Sequence, residues 1–164
     1  MTETRRDPFA PTLYERLLAF GAIILFGAIV AALIKGHAEW GRVPWEVWPH
    51  LVTIMVATAL TPIMLLRRRG DRPHRFLGTI WVVSMFATAL LSFNIRGINH
   101  GGFSPIHLLS ILTVVTAPLL WWSARTHRVA AHRRSVRFMV TGALLVAGFF
   151  TFPFDRLLGR WLFG

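Results

Sequence analysis

Five stretches of this chain carry no charged residue, and short segments rich in arginine separate them. The runs cover 17–34, 47–66, 76–95, 97–124 and 138–154, with 18, 20, 20, 28 and 17 residues respectively. In the fourth, the apolar part begins near Pro105. A helix needs about 20 residues to cross the hydrocarbon layer, because it rises only about 1.5 Å per residue. The runs lack the period-two alternation of a membrane barrel. The pattern predicts an all-α integral membrane protein of five transmembrane helices with short connections. Its parts are an N-terminal arm over 1–16, a first transmembrane helix over 17–34, a four-helix membrane core over 46–154 and a tail over 155–164. The core spans fall near 47–66, 76–95, 104–123 and 138–154. The first run follows Arg5 and Arg6, as in a leader. It is longer than an ordinary leader core and no A-x-A site follows, so a retained helix is expected.

Charge then orients the spans. The net charge of +11 comes from 18 basic residues against seven acids. The arm carries Arg5, Arg6 and Arg16. The second-to-third connection carries Arg67, Arg68, Arg69, Arg72 and Arg75, and the fourth-to-fifth carries Arg125, Arg128, Arg133, Arg134 and Arg137. Lys35, Arg42, Arg96, Arg156 and Arg160 fall on the other side. Basic residues accumulate in cytoplasmic loops, so the N-terminus is expected inside and the tail outside. Arginines at helix ends meet anionic lipid heads, which accounts for the charge without nucleic acid. Trp40, Trp45, Trp48, Trp121, Trp122 and Trp161 fall at helix ends, as in an interfacial aromatic belt. With no cysteine there is no disulfide, zinc finger or thiolate-held cluster. A bacterial inner (cytoplasmic) membrane, crossed several times, is the expected location.

An internal repeat runs through the core. His50 is followed by Pro62 and by His74-Arg75; His107 is followed by Pro118 and by His132-Arg133. The first histidines lie 57 residues apart and the second 58. Thr53 and Ser110 each stand three after the first histidine. Two hairpins of like orientation therefore read as copies related by an axis along the membrane normal, with the first span outside them. That symmetry sets His50 opposite His107 near the outer face, and His74 opposite His132 near the cytoplasmic face.

Facing imidazoles in a helical bundle are the axial ligands of a b-type haem. His50 and His107 are the expected ligands of a haem iron; His74 and His132 are a second cofactor-binding pair. Polar residues within spans turn toward the bundle interior. His50, Thr53, Ala57 and Thr61 share one face of the second span, and Ser84, Thr88 and Ser92 form a stripe on the third. His37, His100 and His127 read as loop residues. There is no G-x-S-x-G, H-E-x-x-H or Walker motif, and no catalytic residue is assigned.

From residue 49 to 164 the chain resembles a bacterial membrane-protein family known as domain of unknown function 2306. The resemblance is carried by His50, by His74-Arg75-Phe76-Leu77-Gly78, by Gly102-Phe103-Ser104-Pro105-Ile106-His107-Leu108-Leu109-Ser110, by His132-Arg133-Arg134 and by the ending Arg156-Leu157-Leu158-Gly159-Arg160-Trp161-Leu162-Phe163-Gly164. The family's usual Pro-Gly before the arginine is replaced here by Phe154-Asp155. The resemblance implies a multispan inner-membrane protein with no established activity. In architecture the core is also similar to the cytochrome b-561 family, which implies two haems held by histidines of alternating helices. Two functions follow as expectations. One is a membrane electron carrier with haem b, exchanging electrons with a quinone or a respiratory partner. The other is a cofactor-free subunit or assembly factor of a larger membrane complex.

Overall fold

The computed structural model describes residues 10–95 and 106–164. Among them every regular element is helical. Helix α1 (Leu13–Lys35) leads through a 3-10 turn (His37–Arg42) to α2 (Val47–Leu66). Helices α3 (Arg72–Ser92) and α4 (Ile106–Arg125) follow. Then α5 (Val129–Phe138) runs without a break into a π-helical segment (Met139–Val146) and the short α6 (Ala147–Phe149). The short helix α7 (Leu157–Phe163) ends the chain.

Helices α1, α2, α3 and α4 are long and apolar enough to cross a membrane. The expected fifth span, 138–154, differs. Its helix starts earlier, among the arginines of α5, and ends at Phe149. Its apolar part is only about 18 Å long at the helical rise. Phe154 and Asp155 then adopt positive φ and turn the chain back toward α7.

Thr12 and Glu15 start α1. The Thr12 hydroxyl accepts from the Glu15 N–H, and the Glu15 carboxylate accepts from the Thr12 N–H, closing a capping box. Helix α1 thus begins within the expected arm. Asp71 caps α3 by accepting from the His74 N–H at 2.7 Å, with Pro73 in the first turn.

The expected position of α1 outside a four-helix core does not hold. Helix α1 packs along α2 and also touches the π-helical segment and α7. Leu18, Ala22, Leu25, Ile29 and Ala32 recur at alternating four- and three-residue steps, which places them on one stripe, and all five are buried. Leu17, Phe20, Ile23, Ile24 and Ile34 are exposed on the same helix. Large apolar side chains are exposed on α2, α3 and α4 as well, among them Val52, Ile63, Val83, Leu90, Ile111, Leu119 and Trp122. A surface so apolar on several helices suits lipid rather than water. The chain is read as a multi-pass membrane protein on that basis.

Candidate functional site

Helix α3 is where the polar groups of the core meet. His50 on α2 donates from Nδ1 to the Thr88 carbonyl oxygen at 3.1 Å. One turn on, Thr53 accepts from the Thr88 hydroxyl at 2.8 Å. Deeper in α2, Thr61 accepts from Trp81 Nε1 at 2.8 Å, with both side chains buried. On the other side of α3, Ser92 donates to Ser110 of α4 at 2.7 Å. The His107 ring is 4% exposed and stacks on Phe93 at the end of α3, with centroids 6.0 Å apart and planes 29° apart.

The described contacts of His50 and His107 are therefore with one helix, α3, from its two flanks. Thr53 and Ser110, each three residues after its histidine, reach Thr88 and Ser92, which are one turn apart. The expected polar stripe Ser84, Thr88 and Ser92 is buried as anticipated. It serves as the seam that holds α2 and α4 to α3.

His74 and His132 come together at the arginine-rich end, within electrostatic reach of each other and of Arg69. Neither precedes its helix: His74 is in the first turn of α3 and His132 in that of α5. His132 Nδ1 donates to the Leu120 carbonyl of α4 at 3.5 Å. His74 Nδ1 is buried with no hydrogen-bond partner among the described residues. Burial, opposed by the Leu120 hydrogen bond, pushes the His132 pKa down, and the nearby Arg69 charge adds to the shift.

The remaining histidines are peripheral. His37 is exposed and donates to the Ile34 carbonyl at 3.1 Å. His127 is exposed in a turn with φ of 55°. His100 lies outside the described residues. Among the described residues no group of three His, Cys, Asp or Glu is placed to hold a metal ion, so a metal here would rest on a histidine pair. A cavity of about 360 Å³ opens beside the end of α1, lined by Val30, Leu33, Ile34, His37, Trp40, Trp48 and Met55. Of the histidines it includes only His37, not the expected pairs.

The chain's strongest electrostatic feature lies elsewhere. Glu15 is 1% exposed. Arg133 grips it with two hydrogen bonds, Nε to Oε1 at 2.7 Å and Nη2 to Oε2 at 2.9 Å. Arg137 donates to Oε1 at 3.2 Å, and Arg69 donates to Oε2. Arg137 also donates to the Thr12 hydroxyl at 3.2 Å and lies over the Tyr14 ring at 5.7 Å. Residue by residue, Glu15 looks like one more acid in a basic arm. The signal that marks it is the pattern Thr12-x-x-Glu15 directly before an apolar run.

Comparison with known proteins gives no significant match to this chain from any protein-family model, any curated protein or any solved structure.

Proposed function

We propose that this chain is a membrane electron carrier with five spans and its N-terminus in the cytoplasm, resident in a bacterial inner membrane. His50 and His107 hold haem b near the outer face, and His74 with His132 form a second pair near the inner face. The observation that carries this reading is the tethering of two rings. His50 and His132, one from each pair, direct Nδ1 to a main-chain carbonyl of the neighbouring helix. Histidines that ligate a metal commonly donate their other N–H to a carbonyl, which fixes the tautomer and leaves Nε2 as the ligating atom. The tethering of His50 and His132 is what supports a haem-ligating role. When bound, haem supplies a one-electron iron couple; a quinone or respiratory protein is its expected exchange partner. Thr88 orients His50 through its carbonyl, and Thr53 keeps the Thr88 side chain engaged. The arginine excess at one end supports the orientation. The similarity to the b-561 architecture agrees with this reading.

The test is the optical spectrum and pyridine haemochrome of protein purified from haem-replete cells. A low-spin b-type spectrum lost in both His50→Ala and His107→Ala, with membrane insertion intact, is the expected result. Pigment-free wild-type protein isolated with a stoichiometric partner would instead make the chain a structural subunit.

A further inference from the structure

At the end of the bundle opposite the arginine cluster, a partly buried guanidinium has no counter-charge among the described residues. Arg156 is half-buried, and its Nε is buried with no hydrogen-bond partner among the described residues. No ion pair of its guanidinium is found among them either. Burial alone pulls its pKa below the usual arginine range, and no neighbouring charge opposes the shift. A guanidinium partly withdrawn from water without a partner charge carries a desolvation cost that a ligand oxyanion would offset.

Two carboxylates at this end are engaged elsewhere. Asp155, the preceding residue, is turned to Arg160 at 3.8 Å. Glu39, in the 3-10 turn after α1, accepts from Trp161 Nε1 at 3.0 Å. The segment 96–105 contains no acid at all. The chain also spends backbone strain at this place: Phe154 and Asp155, neither of them glycine, both adopt left-handed conformations, with φ of 64° and 56°. Directly after Arg156 the chain is fixed in position. Gly159 sits against the Phe152 carbonyl, where an added Cβ would lie 1.7 Å from the oxygen. Lys35 Nζ donates to the Leu162 carbonyl at 2.6 Å. The turn therefore fixes the backbone from which the Arg156 side chain extends.

We propose that Arg156 is an oxyanion anchor that takes the phosphate of a phospholipid headgroup in the leaflet at this end of the bundle. The geometry of the guanidinium, with parallel N–H donors, suits phosphate oxygens. The membrane supplies phosphate at this depth, because α7 packs against the end of spanning helix α1. The feature is the half-buried side chain with its buried Nε, not the end of the short helix that follows it. This site is independent of any haem.

The experiment uses the full-length protein, delipidated in detergent, followed by thermal unfolding with and without phosphatidylglycerol. Arg156→Gln should unfold no earlier than wild type in the lipid-free state, since it removes an uncompensated charge. Added phosphatidylglycerol should raise the wild-type midpoint by several degrees and leave Arg156→Gln nearly unmoved. Arg160→Gln, exposed and paired only with an exposed acid, should respond like wild type. Equal lipid responses in wild type and Arg156→Gln overturn the anchor. A parallel arm with inorganic phosphate separates the sources: stabilisation by phosphate alone, with nothing added by lipid, means a soluble anion and overturns the headgroup. If Arg156→Gln does not fold, native mass spectrometry of the wild type decides. It should retain phosphatidylglycerol at least tenfold over a phosphate-free glucosyl diacylglycerol of the same chains, and equal retention overturns the proposal.

Discussion

Glu15 and Arg133 are 118 residues apart in sequence and joined by two hydrogen bonds of 2.7 and 2.9 Å. The pair ties the first turn of α1 to the first half of α5. Arg69 and Arg137 complete it from the α2–α3 connection and from α5. Glu15→Gln leaves three guanidiniums around a neutral amide. Removing one member of a buried ion pair typically costs 3–5 kcal/mol; the arginines here are 18–33% exposed, so about 2–3 kcal/mol is expected. Denaturant unfolding in detergent checks it. A double cycle with Arg133→Gln should show coupling of about 1 kcal/mol or more, and simple additivity would mean the pair is incidental.

The seam along α3 predicts a smaller effect. Ser92→Ala removes a bond between buried side chains of α3 and α4. Hydrogen bonds between membrane helices are worth about 0.5–1.5 kcal/mol, so a loss in that range is expected. Ser92→Ala combined with Ser110→Ala should cost little more than either alone. A sum of the single losses argues that the two hydroxyls act separately.

Glycine substitutions should sort by neighbour. At Gly159 the new methyl meets main chain, the Phe152 carbonyl, which cannot rotate away. Gly159→Ala should lower stability by about 2 kcal/mol or more, in the manner of an overpacked core. Gly27 has nothing within 4 Å on the side where a methyl would go. Gly27→Ala should be neutral or slightly stabilising, because alanine is the better helix former. Melting temperatures of the two variants side by side provide the comparison.

Asp71 should set part of the acid limit. The hydrogen bond from Arg67 first, then the His74 N–H, hold its pKa below the ordinary 3.8. A carboxyl whose folded pKa is depressed stabilises the fold above its unfolded value, and that contribution is lost as pH falls through the folded value. Wild type should exceed Asp71→Ala at neutral pH, with the gap closing below about pH 4. A gap that stays constant from pH 7 to pH 3 would show that the charge plays no part.

Much of the fold was legible because a bilayer allows few solutions. Charge-free runs of span length gave α2, α3 and α4 to within a few residues. The polar stripe of α3 was visible as Ser84, Thr88 and Ser92, since serine and threonine four apart share a face. The last helix was misjudged because its start carries arginines, so a rule based on absence of charge placed the start too late. The role of α1 was missed for a related reason. Its inward stripe is leucine, isoleucine and alanine against an outward face equally apolar, so hydrophobicity does not say which side meets protein. The pairing of Glu15 with Arg69, Arg133 and Arg137 is a contact between distant segments, and no local spacing encodes it.

Helix α3 also constrains how this molecule can move. It is stitched to α2 by His50, Thr53 and Thr61, and to α4 by Ser110. A piston stroke or axial roll of α3 would tear contacts on both flanks at once. Helices α2, α3 and α4 are thereby bound to travel as one slab. The compliant joint is left to the seam between α1 and the last helix. There Gly21 meets Leu145 and Gly148 meets Leu25, with the Tyr14–Thr141 hydroxyl bond of 2.6 Å nearer the Glu15 cluster. The Glu15 cluster pins one end of that seam, and the Lys35–Leu162 and Trp161–Glu39 bonds pin α7 at the other, so any opening of the bundle should start between the two.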